Sequence, residues 1–422
     1  MQLSRLSRAR RLFAALGAAA GAFLSASEPV AHAQTARFDT THSLYYEAPL
    51  RSRMMVYTPG ADLQVTPAEF LDVRAGWEAD VVSGASVATK AGAAYQANNA
   101  AADVVTTASV KDVRNVAKGG FTLRNREVSL TGGYLYGTEN DYRSHAFNVA
   151  AKTELFERNT QLELSYARNL DSVCDRVQSV NATAPRARAL EDSKGCFTAD
   201  PLRKKHGLDI DGLQGTWSQA WTPIFLTQIV YSAQILSGFQ SNPYRSVILG
   251  QGTKAQEHHP ENRARHAVAA RANLYVRPLR GAFRVGARGY TDSWDIRSIT
   301  GEAEFERYFG ESFRLAVRGR YYNQTGALFW SDDYTGGDAP LGPKGQYFTG
   351  DREVSPFASY LVGLRATYSV SPTKRILGLL SGFKLAASAD AVQFDYREYT
   401  LGGSPISDAR AYIFGLSASA LF

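Results

Sequence analysis

The sequence predicts an all-β fold: a transmembrane antiparallel up-and-down β-barrel of about sixteen strands, with fourteen as the alternative, preceded by a cleaved signal peptide. Three observations carry the prediction. Strand-length segments alternate apolar and polar side chains, and the connections between them alternate short and long. Beyond the N-terminal signal, no run approaches the roughly 20 apolar residues of a spanning helix.

The alternation is plainest in "LDVRAGWEADV" (71–81), where Leu71, Val73, Ala75, Trp77, Ala79 and Val81 share one parity and Asp72, Arg74, Glu78 and Asp80 the other. Successive side chains of a strand point to opposite faces, whereas a helix would mix the two sets around its circumference. One face is therefore apolar and the other ionic, as required of a wall with lipid outside and water inside.

The chain opens with Arg5, Arg8, Arg10 and Arg11, an apolar run from Leu12 to Leu24, and Ala31-His32-Ala33. That is the charge, core and small-residue cleavage pattern of an export signal over 1–33, leaving a barrel over 34–422. Losing those arginines and Glu28 lowers the net charge from +7 to +4, too mild to argue for nucleic acid. The two cysteines, Cys174 and Cys196, lie in a polar stretch of an exported chain, where a disulfide is expected and stray thiols are the alternative.

Strands are expected to begin near 43, 52, 68, 111, 126, 141, 159, 207, 224, 263, 281, 296, 312, 355, 380 and 408. Val128, Leu130, Tyr134 and Tyr136 share a face, as do Leu162, Leu164 and Tyr166, Phe283 and Val285, and Phe313, Leu315 and Val317. Ala358, Tyr360, Val362, Leu364 and Tyr368 align the same way. Around 207–221 and 383–397 the parity slips, which predicts bulges or strands that outrun the bilayer. Short breaks such as Thr66-Pro67, Pro278–Gly281 and Gly310-Glu311-Ser312 read as periplasmic turns. Longer polar stretches, about 85–110, 173–206, 239–262, 331–353 and 398–407, read as extracellular loops that could fold inward. Aromatic residues at strand ends, such as Tyr134, Tyr321, Tyr368 and Tyr412, suit interfacial girdles; ordinary strand preference is the alternative. The last strand ends on Phe422, which resembles the terminal signal read by the barrel-assembly machinery of a Gram-negative outer membrane.

Between 242 and 330 the chain resembles a known family. "NPYR" (242–245), "ENRARHAVAARANLYV" (261–276), "GYTDSWDIRSIT" (289–300) and "RGRYYNQTGALFW" (318–330), with "DVVSGAS" (80–86), are similar to the DUF3570 family of exported proteins. The resemblance implies an outer-membrane barrel of unknown function with no catalytic residues to carry over. Where the family pattern would place Gly after the tryptophan, this chain has Asp295.

Placing the ionic parity inward gives the candidate pore lining. Arg265, Arg271 and Arg277 belong to one strand, Arg284, Arg288 and Asp292 to the next, Glu302, Glu304 and Glu306 to the third, and Arg314, Arg318 and Arg320 to the fourth. Pairing Phe309 with Phe313 would set Glu304 opposite Arg318 and Glu302 opposite Arg320; a slip of two residues gives a different set of ion pairs. Asp72, Glu78 and Asp80 would face this wall from across the barrel. The expected function is a porin-like channel whose positive stripe selects small polar or anionic solutes. The alternative is a non-conducting structural or surface-binding barrel whose charges neutralise one another, since wet pairs contribute only about 0–1 kcal/mol each.

A more distant alternative is a lipid hydrolase, with His266 on the outward parity activating Ser293 if 276 pairs with 283. "HHPE" (258–261) with Glu257 lacks a second ligand pair and reads as a solvated loop. "GGDAPLGPKG" (336–345) lacks the Ser/Thr and helix of a phosphate loop, and "DIDG" (209–212) lacks further calcium ligands. No cofactor or metal is expected.

Overall fold

In a computed structural model the described residues are 35–48, 54–83, 105–106, 112–139, 142–176, 203–242, 245–249, 253–256, 257–332, 341–342, 344–370, 380–401 and 404–422. The signal segment, Cys196, Pro372 and most of the 85–110 and 173–206 stretches lie outside them.

Sixteen strands close into one barrel. The first eight are β1 (Thr35–Ala48), β2 (Met54–Ala68), β3 (Leu71–Ser83), β5 (Asp112–Asn125), β6 (Val128–Thr138), β7 (Tyr142–Leu155), β8 (Thr160–Arg176) and β9 (Arg203–Thr222). The second eight are β10 (Phe225–Gly238), β13 (Asn262–Val276), β14 (Gly281–Asp292), β15 (Arg297–Phe309), β16 (Phe313–Gln324), β17 (Phe357–Val370), β18 (Gly382–Leu401) and β19 (Ser404–Leu421). Three short strands, β4 (Val105–Thr106), β11 (Arg245–Leu249) and β12 (Thr253–Gln256), make a separate small sheet.

Every barrel strand pairs antiparallel with its neighbours, and β1 closes the ring on β19 from Arg37↔Leu421 to Ala48↔Arg410. Each barrel strand thereby gains a partner on both sides, so its backbone N–H and C=O groups can be satisfied without water. The strands start within four residues of the sequence expectation except β1, which begins at Thr35 rather than near 43. Its first half, "TARFDTT", has only Phe38 as a large apolar side chain, so periodicity is mute there. Pairing with β19 and β2 decides it.

Connections sort by end. Glu69-Phe70, Arg126-Glu127, 156–159, Pro223-Ile224, the 3₁₀ turn Arg277–Leu279 and 310–312 close one end, with the longer 371–381. The long segments 84–111, 177–202, 239–261 and 325–356 leave from the other, which also holds the short connections 49–53, 139–141, 293–296 and 402–403. The 398–407 stretch is a correction: β18 continues to Leu401 and β19 resumes at Ser404, with register shifts between Phe394 and Thr400 absorbing the parity slip. The other slip becomes a bulge at Trp221, which is skipped between the pairs Phe225↔Thr222 and Leu226↔Ala220.

Side chains sort by parity as well. Val73, Trp77 and Val81 of β3 are exposed on the outer face, while Asp72, next to Val73, is buried on the inner one. On β17, Val362 is 65% exposed, and the inward Asp390 of the adjacent strand is 4% exposed. A belt of exposed apolar side chains on this scale, running from β1 to β19, has no solution in water. Lipid covers it, which makes the protein a transmembrane barrel. Val362→Arg should place a charge in hydrocarbon and cost about 2–4 kcal/mol, read as a lowered urea midpoint for unfolding from lipid vesicles; the inward Ser388→Arg should cost much less.

Candidate functional site: a charged lumen beneath a bridged mouth

The inner face of β13 to β18 encloses a cavity of about 980 Å³. Seven cations line it: Arg271, Arg284, Arg314, Arg318, Arg320, Arg365 and Lys384. Three carboxylates, Glu302, Glu304 and Glu306, line it with them. Of the side chains assigned inward by parity on these strands, Arg271, Arg284, Arg314, Arg318, Arg320 and the three glutamates line this cavity while Arg265, Arg277, Arg288 and Asp292 do not, and the hairpin turn sets Phe309↔Phe313, Glu304↔Arg318 and Glu302↔Arg320.

The ion pairs, however, do not follow these directly opposed positions. Glu304 is held by Arg284 and, at 2.7 Å, by Arg365. Glu306 takes Arg284 at 3.2 Å, Arg365 at 3.4 Å and Arg314 at 3.8 Å. Arg271 reaches Glu302 at 3.2 Å, and Arg318 turns away from β15 to Asp390, its Nε donating at 2.7 Å.

A glycine explains the last two choices. Arg271 pairs across strands with Gly286, which pairs with Glu302; Arg318 pairs with Gly363, which pairs with Asp390. With no side chain on the middle strand, base and acid two strands apart meet over its backbone. A Cβ on Gly286 would lie 2.8 Å from Glu302 Oε1, and one on Gly363 would overlap Asp390 Oδ1 outright. The same arrangement recurs across the barrel, where Lys118 and Asp62 meet at 3.0 Å over Gly76.

Parity alone therefore located most of the wall but not its wiring. Arg365, Asp390 and Lys384 were missed because 358–368 was read from its apolar face and the parity of 383–397 slips; their inward parity was the available signal. Arg277 is a second correction, since it opens the 3₁₀ turn after β13 and is not a strand residue. Asp72, Glu78 and Asp80 do lie eight strands from β14 in a ring of sixteen. Asp72 is nonetheless occupied by Thr66 and Arg124, and Asp80 by Thr58 at 2.7 Å and Arg114 at 3.4 Å.

At the loop end the mouth is bridged. Arg352 binds Glu47 of β1 through Nη1 and Nη2, at 2.5 and 2.9 Å, with Glu47 buried and Arg352 mostly so. On its other side the same connection pairs Phe348 with His258, just before β13. Counted round the ring, β1 and β13 are seven steps apart. The described part of the 325–356 connection thus ties β1 to the segment before β13. Gln324 fixes its base by donating to the carbonyls of Glu353 and Ser355. Burial is the largest single influence and opposes the charge on Arg352, but hydrogen bonding to Glu47 together with the charges of Tyr396, Glu47 and Tyr45 outweighs it and holds its pKa above the ordinary value.

Beneath the bridge, Trp294, Phe329, Trp330, Phe348 and Tyr396 form an apolar cluster. Asp292 builds the turn that carries Trp294: Oδ1 accepts from the backbone N–H of Trp294 and Ile296, and Oδ2 from Tyr290 at 2.7 Å and Arg263 Nε at 2.8 Å. The Arg263 guanidinium lies 3.9 Å from the Trp294 ring centre. Asp295 sits in the left-handed region at φ 65°, the conformation that favours Gly, so the tight turn forms without one.

Two other expectations are overturned. Val276 pairs with Gly281, setting His266 opposite Thr291; its Nδ1 meets the Tyr231 hydroxyl at 3.0 Å, while Ser293 Oγ accepts from the Ala264 N–H. No His266–Ser293 pair forms. The "HHPE" segment is only partly solvated: His258 and Glu261 are exposed, whereas His259 and the preceding Glu257 are buried, and Glu257 accepts from the Gly350 N–H. The "DIDG" carboxylates Asp209 and Asp211 are held by Arg168. Cys174 is disulfide-bonded.

A family model described as a protein of unknown function, DUF3570, matches residues 10–403. No curated protein sequence matches the chain. Among solved structures, a bacterial polysaccharide outer membrane secretin aligns at TM-score 0.46 and 8% identity, over 93% of this chain and 99% of that one. OccD3 of Pseudomonas aeruginosa aligns at 0.43 and 9%, over 93% and 92%. A BenF-like porin from Pseudomonas fluorescens Pf-5 aligns at 0.42 and 9%, over 92% and 99%.

Gly363→Ala should separate Arg318 from Asp390 and overpack the wall at a cost of about 1–3 kcal/mol, read by urea unfolding in lipid vesicles; Gly319→Ala, whose Cβ would meet nothing closer than 3.8 Å, should be nearly neutral. Glu47→Gln leaves Arg352 buried without its carboxylate, a change of about 3–5 kcal/mol. The bridge should then release, and trypsin should cut after Arg352 in the refolded variant while sparing the parent protein.

Proposed function

This chain belongs to the DUF3570 family, whose description assigns no function, and from the geometry of its lumen we propose that it is an outer-membrane channel for small polar and anionic solutes. A ring of sixteen strands is too wide for side chains to fill, so its interior holds water. The observation that carries the reading is the charge surplus. Seven cations line the cavity against three glutamates, and adding Asp390, which binds Arg318, still leaves three positive charges unmatched.

Arg320 embodies that surplus. It is exposed to the lumen, and among the described residues no carboxylate lies within ion-pair distance; its guanidinium sits 5.8 Å from the Tyr322 ring centre. A charge lining a low-dielectric wall raises the local concentration of the opposite ion, and thereby its flux. The barrel-assembly machinery is the expected partner in biogenesis, and the lipid bilayer the permanent one.

A non-conducting barrel is the second reading, and the bridge from β1 to the segment before β13 favours it. The two part in one measurement. Purified protein in a planar bilayer should give discrete conductance steps, and under a salt gradient the reversal potential should indicate anion preference. Arg320→Glu should move that potential toward cations by several millivolts without abolishing the steps. A silent bilayer would favour the non-conducting barrel.

A further inference from the structure

Above the ion-paired wall lies a second inner recess of about 390 Å³ whose chemistry differs from the first. Its polar lining includes Arg265, Arg288, Gln234, Ser232, Gln214 and Ser165, with Tyr290 and His266 also lining it, drawn from β8, β9, β10, β13 and β14, and it includes no carboxylate. The nearest acid by register is Asp292, opposite Arg265. Its two oxygens are already occupied by Arg263, Tyr290 and two backbone N–H groups.

Both arginines are under-satisfied. Of the five N–H donors of Arg265, one is used, Nη1 donating to Gln234 Oε1 at 3.1 Å, and its Nε is buried with no partner. Among the described residues Arg288 has no hydrogen-bond acceptor; its guanidinium rests 5.6 Å from the Tyr290 ring centre. Two guanidinium forks without acids between them are complementary to an oxyanion, which each can bind through two parallel bonds. The hydroxyls and amides opposite suit the hydroxyl groups of the same molecule.

We propose that Arg265 and Arg288 form a binding site for the carboxylate or phosphate of a small hydroxylated solute, a station between the bridged mouth and the ion-paired wall. The proposal deepens the channel reading and rests on it for access to water. In the larger cavity most cations are engaged by glutamates or Asp390, so an entering anion must compete with them. In the recess it meets donors that nothing else occupies.

The site is tested on the refolded full chain in detergent by isothermal titration with sodium gluconate and, separately, inorganic phosphate. Saturable binding of either probe is expected, and the stronger one identifies the headgroup. Arg265→Gln and Arg288→Gln should each weaken it about tenfold, the loss of roughly 1.4 kcal/mol for one charge-assisted contact. Arg158→Gln, in a distant turn, should leave it unchanged. Arg288 makes no internal hydrogen bond, so its variant keeps the fold, which retained heat-modifiable gel mobility verifies. Absence of saturable binding for both probes, or affinity undiminished from the parent protein in the Arg265 and Arg288 variants, overturns the site. Bilayer conductance is scored separately: steps without binding remove the station and keep the channel, whereas binding without steps keeps the station and removes the channel.

Discussion

The structure depends on ring closure. In hydrocarbon a backbone N–H or C=O without a partner costs several kcal/mol, and an open sheet would expose a row of them at each edge. The pairing of β1 with β19 removes both edges. Once the ring is closed, the two-residue period of every strand becomes a two-sided wall, and side-chain polarity is dictated by position. This is why Val362 can be left exposed while Asp390, on the neighbouring strand, is withdrawn.

Closure also crowds the inner face with charge, and the wall manages this with glycine. Opposite charges placed directly across from each other were the expectation. The protein instead seats Gly286 and Gly363 between base and acid, so that Arg271 meets Glu302 and Arg318 meets Asp390 over a bare backbone. Each such pair staples three strands rather than two. It also decides which cations are engaged and which face the water, so a residue with no charge sets the electrostatics of the lumen.

The mouth follows different physics. There the strands outrun the bilayer, and an apolar cluster around Trp294, Phe329 and Phe348 forms inside the ring. Aromatic burial supplies the mass of that assembly, and a buried pair, Arg352 with Glu47, supplies its register. A buried pair of this kind contributes little net stability against an apolar substitute, but losing one partner is costly, which suits a fixed attachment point.

The amino-acid sequence by itself determined the barrel, a strand number of fourteen or sixteen, and the two-faced character of its strands. All of these follow from a local period of two and from turn chemistry, which neighbouring residues encode. Only the tertiary structure decided which charges meet, that β1 begins at Thr35, that 325–356 ties β1 to the segment before β13, and that His266 faces Thr291 rather than Ser293. Those outcomes depend on register across strands distant in the chain, on a missing Cβ between two side chains, and on a loop finding its wall. Alternation along one strand carries no record of them.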